Sequence, residues 1–364
     1  MKIISVVGAR PQFIKLAALS QKLRENHREL ILHTGQHYDD ELSKVFFREL
    51  SIPLPDFNLG IGSGNHGQQT GRMLEGIENI LLKENPDLVI VYGDTNSTLA
   101  GALAAAKQNI PLAHVEAGLR SFRKTMPEEI NRVVADHLSD LLFCPTRTSV
   151  LNLRKEGITK GVYLVGDVMY DSLLQNIKVA RRISSIMKSL SLKTKNFFLV
   201  TIHRAENTDH PENLKKIVDI LLSIKGKVIF PAHPRVKKFL VKHGLSRKLK
   251  AEKDMTLIDP VSYWDMLILE ENARIILTDS GGVQKEAFFL KTPCVTLRDG
   301  TEWIETVKDG MNTVTGLNLR KIKRILTRKP YLRNPKTSPF GNGRASQKIA
   351  GIISKRIHAG YRQQ

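Results

Sequence analysis

The chain has 364 residues, of which 41% are hydrophobic and 25% charged, a composition typical of a globular protein with room for two domains. No apolar run approaches the roughly 18 residues of a membrane helix, and the N-terminal sequence lacks a secretory cleavage site, so we expect neither a membrane protein nor a secreted one. Cys144 and Cys294 each lie next to a proline in an apolar stretch, and we expect both to be buried thiols of a cytosolic (cytoplasmic) protein.

The formal net charge of +20 is concentrated near the end of the sequence, since residues 320–364 contain many Lys and Arg residues but no Asp or Glu. Such a field would attract an anionic substrate. The same segment has few aromatic residues on which bases could stack, and it matches no nucleic-acid recognition motif. We therefore interpret it as a solvated basic surface and expect no nucleic-acid partner.

Strands and helices alternate through the first half of the chain. Short apolar runs predict strands at Ile3–Val7, Leu30–His33, Leu88–Tyr92, Leu112–Val115, Leu141–Cys144 and Tyr163–Val165. Apolar residues at helical spacing lie between several of these strands, as in 69–83 and 99–107, whereas 51–67 has the composition of a loop. Alternation at this spacing indicates right-handed βαβ units in a parallel sheet.

A less regular stretch at 167–195 precedes a second βα series. Its predicted strands are Phe197–Ile202, Val228–Phe230, Thr256–Ile258, Ile275–Thr278 and Cys294–Leu297, and a last amphipathic helix is predicted at Ala345–Ile357. The predicted fold class is therefore α/β, with two Rossmann-like domains facing across a cleft. Ligands bind at the carboxyl ends of the strands in such folds, and this chain repeatedly carries polar or glycine-rich turns there.

The strongest phosphate-binding signal is the turn Thr278-Asp279-Ser280-Gly281-Gly282, between a buried strand and a predicted helix. Backbone N–H groups at a helix start bind anions, and glycine lets a pyrophosphate approach closely. Glu286, one turn further on, could accept hydrogen bonds from ribose hydroxyls. The competing interpretation is a tight turn in which Ser280 only caps the helix.

The first turn of the chain, Gly8-Ala9-Arg10-Pro11-Gln12, offers cationic groups for an anionic ligand. Arg10 presents a planar fork suited to phosphate or a base edge, and Lys15 on the following helix presents a point charge. Lys15 is equally consistent with a solvated surface lysine.

Carboxylates follow several predicted strands or begin helices. Asp94 follows an apolar strand but could be a helix N-cap. Glu116 ends a buried strand, where a carboxylate needs a partner or a raised pKa. Glu128 and its neighbour Glu129 begin a helix, where the macrodipole alone favours acids. Their convergence on one crevice with His203 opposite would form an acid/base site.

The sequence offers no signature of a metal or redox cofactor. Histidines lie on different turns, without the spacing of a metal site, and no G-x-S-x-G nucleophile elbow occurs. A G-x-G-x-x-G at 62–67 does not directly join a buried strand to its helix, so it fails the test for a dinucleotide site. We expect neither a metal nor a cofactor.

Seven motifs taken together resemble the non-hydrolysing UDP-N-acetylglucosamine 2-epimerase family over nearly the whole chain. In order, they are Gly8-Ala9-Arg10-Pro11-Gln12, Thr34-Gly35-Gln36-His37, Gly93-Asp94-Thr95-Asn96-Ser97, His114-Val115-Glu116-Ala117-Gly118-Leu119-Arg120, Pro127-Glu128-Glu129-Ile130-Asn131-Arg132, His203-Arg204-Ala205-Glu206-Asn207 and Thr278-Asp279-Ser280-Gly281-Gly282. Each motif alone is weakly specific, whereas their combination is highly specific.

The resemblance implies a glycosyltransferase-B type fold and a homodimer without a cofactor. It implies an N-terminal domain at 1–168, a UDP-binding domain at 169–344, and a C-terminal helix at 345–364 that crosses back to the first domain. The implied reaction inverts C2 of a UDP-2-acetamido sugar by eliminating UDP to a 2-acetamidoglucal and adding it back. The implied catalytic residues are Asp94, Glu116, Glu128 and His203, and the residues implied to hold the UDP are Arg10, His203, His233, Ser280, Gly281, Gly282 and Glu286. We also expect Lys15 and Arg132 to bind the substrate.

Three positions depart from the common family pattern. Trp303 stands where many members carry an arginine near the nucleotide, Met266 where a phenylalanine often meets the uracil, and Asp39 where members with a second, activating UDP-sugar site carry glutamine. The runs at 8–15, 203–207 and 302–303 are more similar to the branch that acts on UDP-2,3-diacetamido-2,3-dideoxyglucuronate. The resemblance therefore leaves two substrates open, UDP-N-acetylglucosamine and this uronate.

Other functional classes are also compatible with the fold. A UDP-sugar-dependent glycosyltransferase would bind the same nucleotide but would need an acceptor and would not exchange the C2 proton. A UDP-sugar binding protein without turnover would not need three acids at strand ends, and a nucleic-acid-binding protein would rest on the basic segment alone.

Overall fold

A computed structural model describes residues 1–36, 47–327 and 338–358, with side chains as far as Lys355. His37 and Asp39 of the family comparison lie outside the described residues. The chain divides into two compact units. Unit 1 comprises Met1–Gln175 together with the chain from Ser338 onward, and unit 2 comprises Asn176–Thr337.

In its described residues, unit 1 contains one parallel sheet of seven strands in the order β3-β2-β1-β4-β5-β6-β7. The strands are β1 (Lys2–Val7), β2 (Arg28–His33), β3 (Phe57–Asn58), β4 (Leu88–Tyr92), β5 (Leu112–Val115), β6 (Leu141–Cys144) and β7 (Val162–Leu164). The chain runs outward from β1 on one side and from β4 on the other. This reversal creates a topological switch point at the carboxyl ends of β1 and β4, where ligands bind in such sheets.

Helices cover both faces of this sheet. They are α1 (Arg10–Leu23), α2 (His66–Glu84), α3 (Asn96–Lys107), α4 (Pro127–Leu138), α5 (Arg147–Lys155) and α6 (Val168–Ile183). The alanine-rich helix α3 packs closely on the strands, since a Cβ at Gly101 would lie only 3.0 Å from Val91 Cγ1. The division between the units falls inside α6.

Unit 2 repeats the architecture with six described strands in the order β10-β9-β8-β11-β12-β13. The strands are β8 (Phe198–Thr201), β9 (Val228–Pro231), β10 (Met255–Ile258), β11 (Ile275–Thr278), β12 (Cys294–Thr296) and β13 (Asn312–Val314). The helices are α7 (Ile186–Ser189), α8 (Ala205–Thr208), α9 (Pro211–Leu222), α10 (Pro234–Lys242), α11 (Ser246–Ala251), α12 (Tyr263–Asn272), α13 (Gly281–Phe289), α14 (Ile304–Lys308) and α15 (Leu319–Leu326). Here the strand order reverses between β8 and β11, so the equivalent switch point lies there.

The last described helix, α16 (Ala345–His358), belongs to unit 1 and packs against α1. The Asp171 carboxylate of α6 accepts hydrogen bonds from the backbone N–H groups of Ala345 and Ser346 at 3.1 and 2.7 Å. These bonds cap the start of α16, where N–H groups have no partner within the helix. His27 Nε2 and Ser354 Oγ, 2.9 Å apart, attach its far end to the same unit.

The α/β class and the two parallel sheets predicted from the sequence are confirmed. The predicted strands at 88–92, 112–115, 141–144 and 275–278 have the bounds found in the structure, whereas β3 and β13 were not predicted. Cys144 and Cys294 are buried free thiols, as expected, and burial raises the pKa of both. None of the helices in the described ranges is both long enough and apolar enough to cross a membrane.

Candidate active site

The turn after β1 is anchored to its neighbour β4 by one glutamine. Gln12 Oε1 accepts hydrogen bonds from the N–H groups of Gly8 and Ala9 at 2.8 and 3.0 Å, and its Nε2 donates to the Tyr92 carbonyl at 2.9 Å. A Cβ at Gly8 would lie 2.0 Å from Thr34 Oγ1, so the turn tolerates only glycine. These contacts place Arg10, half-buried, as the first residue of α1 at the switch point.

Lys15 and Glu116 form a buried ion pair at this edge of the sheet, with 2.5 Å between Lys15 Nζ and Glu116 Oε1. Interpreting Lys15 as a solvated lysine is therefore wrong. Gly93 lies beside the pair, and a Cβ there would be 2.8 Å from Lys15 Nζ. The two charged side chains line a small recess together with residues that follow β6 and β7, including Pro145 and Asp167.

Glu116 has a backbone φ of +76°, in the left-handed region that favours glycine. Its N–H and that of Ala117 both donate to the Phe143 carbonyl at 3.1 Å, so the chain turns away from the sheet just after β5. A non-glycine residue pays about 1–3 kcal/mol for such a conformation, and residues of this kind cluster at functional sites.

Asp94 is held by Arg132 of α4, whose Nη2 donates to Asp94 Oδ2. Arg132 is buried, with Nη1 2.8 Å from Glu129 Oε2, while the Asp94 side chain remains 29% exposed. Helix α3 is instead capped by Thr95, whose N–H donates to Thr98 Oγ1 at 3.2 Å. Interpreting Asp94 as the helix cap is therefore wrong, and its carboxylate is oriented at the switch point and reachable by a ligand.

The two acids at the start of α4 differ in their surroundings. Glu129 is buried, and its oxygens accept from Ser121 N, Ser121 Oγ and Phe122 N, each at 2.8 Å, as well as from Arg132. Glu129 thus orients the loop and the arginine. Glu128 is half-buried on the same first helical turn, so it is the acid of this pair that remains suited to a ligand.

Beneath these groups, a cluster of charged side chains connects α4 to β5. His114 lies 2.7 Å from Asp136 through Nδ1 and 2.7 Å from the Gly93 carbonyl through Nε2. Arg120 Nη1 donates to Asp136 at 2.6 Å and its Nη2 to Glu156 at 2.6 Å. Burial raises the pKa of Asp136, but the charges and hydrogen bonds of His114 and Arg120 outweigh it, and the pKa is lowered from the usual 3.8.

In unit 2, Asp279 organises the switch point between β8 and β11. It is fully buried, and its oxygens accept from the N–H groups of His203 and Arg204 at 3.2 and 3.1 Å and from Asn207 Nδ2 at 2.9 Å. His203 Nδ1 lies 3.4 Å from the same carboxylate, while the ring remains about half exposed. Asp279 thus supports a histidine that a ligand can reach.

Ser280 caps α13, since its Oγ accepts from the Val283 N–H at 3.5 Å. Its hydroxyl still has a hydrogen to donate, so a capping serine is compatible with anion binding. A Cβ at Gly281 would lie 2.6 Å from Glu302 Oε1, which explains the need for glycine. Gly282 is half-buried in the first turn of α13, and Glu286 is buried further along the helix.

His233 occupies the N-cap of α10 after β9, the strand beside β8, and its Nδ1 accepts from the Arg235 N–H at 3.2 Å. Each unit thus brings its predicted residues to one edge of one sheet. In unit 1 these are Arg10, Lys15, Asp94, Glu116, Glu128 and Arg132; in unit 2 they are His203, His233, Ser280, Gly281, Gly282 and Glu286.

Asp136 was not predicted, and neither were the supporting roles of Glu129 and Asp279, although both residues lie in motifs that the sequence analysis named. Their sequence signals are weak, since Glu129 and Arg132 have an ordinary i, i+3 helical spacing and Asp136 simply lies within a helix. Within the described ranges, no three His, Cys, Asp or Glu side chains lie close enough together to hold a metal ion.

The comparisons with known proteins agree on one family over nearly the whole chain. The profile of the family described as UDP-N-acetylglucosamine 2-epimerase matches residues 21–354. The chain is 55% identical over 354 residues to the UDP-N-acetylglucosamine 2-epimerase homolog of Methanococcus maripaludis, covering 97% of this chain and 99% of that protein. It is 46% identical over 373 residues to the UDP-2,3-diacetamido-2,3-dideoxy-D-glucuronate 2-epimerase of Pseudomonas aeruginosa, covering 98% and 100%. The crystal structure of Methanocaldococcus jannaschii UDP-GlcNAc 2-epimerase in complex with UDP-GlcNAc and UDP matches with a TM-score of 0.91 and 47% identity, covering 98% of this chain and 100% of that one.

Glu116→Gly and Glu116→Ala remove the same carboxylate but differ in backbone freedom. Both leave the buried Lys15 ammonium group without its ion-pair partner Glu116, so both should lower the free energy of unfolding by about 3–5 kcal/mol. Glycine adopts the positive φ without a Cβ clash, so the glycine variant should be more stable than the alanine variant by about 1 kcal/mol. Urea denaturation of the two variants measures the difference; equal stabilities would contradict strain at this position.

Asp136→Asn should lower the free energy of unfolding by about 3–5 kcal/mol at pH 7, because buried Arg120 and His114 lose their shared anion. The pKa of Asp136 is lowered in the folded protein, so its contribution is complete above the unfolded value of 3.8 and is lost as the pH falls through the folded pKa. The contribution of the Asp136 carboxylate should therefore be complete at about pH 5 and above and decline in more acidic solution. A ¹³C NMR titration of the Asp136 carboxyl group in the wild-type protein tests the sign, and a midpoint above the usual 3.8 would contradict the assignment.

Proposed function

Because this chain belongs to the UDP-N-acetylglucosamine 2-epimerase family and is an isomerase, we propose that unit 2 binds the UDP group of a UDP-2-acetamido sugar while unit 1 inverts its carbon 2. One observation supports the assignment to unit 1 most strongly. Asp94 and Glu116 follow adjacent parallel strands, and each carboxylate is paired with a cation from a helix, Arg132 or Lys15. Oriented acids at a topological switch point suit proton transfer to and from a bound sugar.

The reaction requires a proton to leave one face of C2 and to return to the other. In the first step a carboxylate takes the C2 proton, the electrons form the C1–C2 double bond, and the C1–O bond breaks to release UDP. In the second step a proton is added to C2 from the opposite face, and a UDP oxygen bonds to C1 again. Two faces of one carbon require two proton carriers, so a single carboxylate does not suffice.

The surroundings of the acids indicate their roles. Asp94 is oriented by Arg132 and is exposed enough to reach a sugar, and Glu128 is half-buried at the start of α4. We assign these two to C2 proton transfer. Glu116 is buried against Lys15, which suits a supporting carboxylate that places the lysine charge near the substrate, with Arg10 beside it at the start of α1.

Unit 2 is assigned the departing diphosphate. The first N–H groups of α13, preceded by Ser280, provide anion-binding donors, and Gly281 and Gly282 let a phosphate approach the backbone. His203, supported by Asp279, would place a positive charge on the leaving group as its negative charge develops. His233 on the neighbouring turn and buried Glu286 would complete the nucleotide contacts.

UDP-N-acetylglucosamine, giving the manno epimer, is the first candidate substrate, since two relatives at 45% and 48% identity bear that activity in their names. One observation favours a second candidate, UDP-2,3-diacetamido-2,3-dideoxyglucuronate. Trp303 is buried against the start of α13. Its Nε1 would lie 3.2 Å from a Cβ at Gly281, and the centroid of its ring lies 4.0 Å from Lys285 Nζ. This side chain replaces the arginine common in the family, and the relative at 46% identity is named for the uronate.

The same relationship supports a homodimer in the cytoplasm. The family resemblance implies the dimer, and two buried free thiols suit a reducing compartment. Light scattering of the purified protein measures the oligomeric state, and a monomer at micromolar concentration would contradict the homodimer.

The wild-type protein tests the proposal in deuterated water. Each candidate UDP-sugar should give its C2 epimer with deuterium at C2, and the better substrate is the one with the higher kcat/KM. Epimerisation without deuterium would contradict proton exchange at C2. Free sugar plus UDP as the only products would indicate hydrolysis, and transfer to an acceptor without exchange would indicate a glycosyltransferase.

Asp94→Asn should lower deuterium exchange at C2 by at least about 1,000-fold, because an amide cannot accept the proton, while UDP affinity should stay within twofold. Gly281→Ala is the matched variant in unit 2, since a Cβ would press against Glu302. It should instead weaken UDP binding. Isothermal titration with UDP separates the two effects, and an equal loss of UDP affinity in Asp94→Asn would contradict the division between the units.

A further inference from the structure

Both ring nitrogens of the fully buried His114 face hydrogen-bond acceptors. Nδ1 lies 2.7 Å from an oxygen of Asp136, and Nε2 lies 2.7 Å from the carbonyl oxygen of Gly93. A backbone carbonyl has no proton to donate, and the Asp136 carboxyl already accepts from Arg120 and from the Gly118 N–H. A neutral imidazole carries one proton, so either tautomer would set a bare nitrogen against an acceptor at hydrogen-bond distance. Only the doubly protonated ring satisfies both contacts.

The surrounding charges support this state. Asp136 of α4 and Glu156 at the end of α5 are two anions, and Arg120 between them is one cation. Cys144 of β6, the adjacent strand, is a buried thiol, and burial raises its pKa. An imidazolium at His114 makes this cluster of four side chains neutral, whereas a neutral ring leaves it with one net negative charge; Asp136 is fully buried and Glu156 is 27% exposed. On the exposed side, His137 lies 3.5 Å from Glu156.

The ring acts on the turn that carries Asp94. Gly93 has a positive φ of 65°, its N–H donates to the Val115 carbonyl at 2.9 Å, and its carbonyl receives the His114 bond. Gly93, the residue immediately before Asp94, is thus held through both its N–H and its carbonyl. The Asp94 carbonyl is held in turn by Asn131 Nδ2 at 2.9 Å.

We propose that His114 is an imidazolium throughout the working pH range and is a positioning residue, holding the Gly93 carbonyl so that the Asp94 carboxylate stays aligned with C2 of the sugar. The link to catalysis rests on the proposed function of Asp94; the protonation state does not. A misplacement of about 1 Å in such a group costs on the order of 100-fold in rate.

Long-range ¹H–¹⁵N spectra of histidine-labelled protein test the protonation state directly. At pH 9, where solvent-exposed histidines are neutral, one ring should still show two protonated nitrogens. That signal should be absent in Asp136→Asn, whose amide no longer stabilises the cation. A wild-type spectrum at pH 9 without a doubly protonated ring would overturn the inference, even if no variant folds.

His114→Gln tests the positioning role, because an amide donates through one nitrogen only. The expected result is a fall of about 10- to 100-fold in kcat for C2 deuterium exchange, with KM and UDP affinity within about twofold. His27→Gln, a histidine substitution in the same unit at the Ser354 contact, is the matched control and should leave all three unchanged. An unchanged kcat in His114→Gln, or equal losses of kcat and UDP affinity, would contradict a positioning role.

The two proposals fail in different ways. If wild-type protein exchanges no C2 proton with either substrate, the proposed function fails while the spectra still report on His114. If exchange occurs and the ring is neutral at pH 9, only the inference about His114 fails.

Discussion

Burial of ionised side chains is the constraint on which unit 1 depends. Lys15, Glu116, Arg132 and Asp136 are each 9% exposed or less, in surroundings where an unpaired charge costs several kcal/mol. Each is held to an opposite charge on a different element, so the ion pairs connect the ends of the strands to helices α1 and α4. The contacts that make burial tolerable therefore also fix where the Asp94 and Glu116 carboxylates lie.

Unit 2 uses a different solution at its own switch point. There one buried carboxylate, Asp279, accepts two backbone N–H groups and an amide, and this arrangement organises the turn that carries His203. The donors at the start of α13 belong to the backbone and cannot be lost by rotation of a side chain. Donors fixed in this way suit a diphosphate, the group that we propose unit 2 binds.

The sequence predicted elements whose physical signal is local. The strands Leu88–Tyr92 and Ile275–Thr278 are aliphatic up to their last residue and end at polar turns, so their bounds could be predicted without knowing which strands they pair with. The edge strands Phe57–Asn58 and Asn312–Val314 are short and partly polar, and only pairing with β2 and β12 makes them strands. Edge pairing is a tertiary property that hydrophobic periodicity does not report.

The same distinction applies to the site. Residues in the turns, such as Asp94 and His203, could be predicted because parallel strands bring their ends to one edge. The contacts that orient them could not be predicted: Asp136 was not predicted, and Arg132 was predicted to bind substrate, not to pair with Asp94. Both reach the strand ends from a helix whose sequence is that of an ordinary amphipathic segment. The burial of Lys15 could not be predicted either, because it depends on an ion pair with Glu116, 101 positions further along the chain.

Glu116 shows how local strain and long-range charge act together. Its positive φ is unfavourable in isolation, but it allows two consecutive N–H groups to reach the Phe143 carbonyl and turns the carboxylate toward Lys15. A glycine at 116 would relieve the strain and lose the ion pair. The ion pair with Lys15 offsets this conformational cost, and it leaves a carboxylate and a lysine at the strand end where we propose that the sugar is bound.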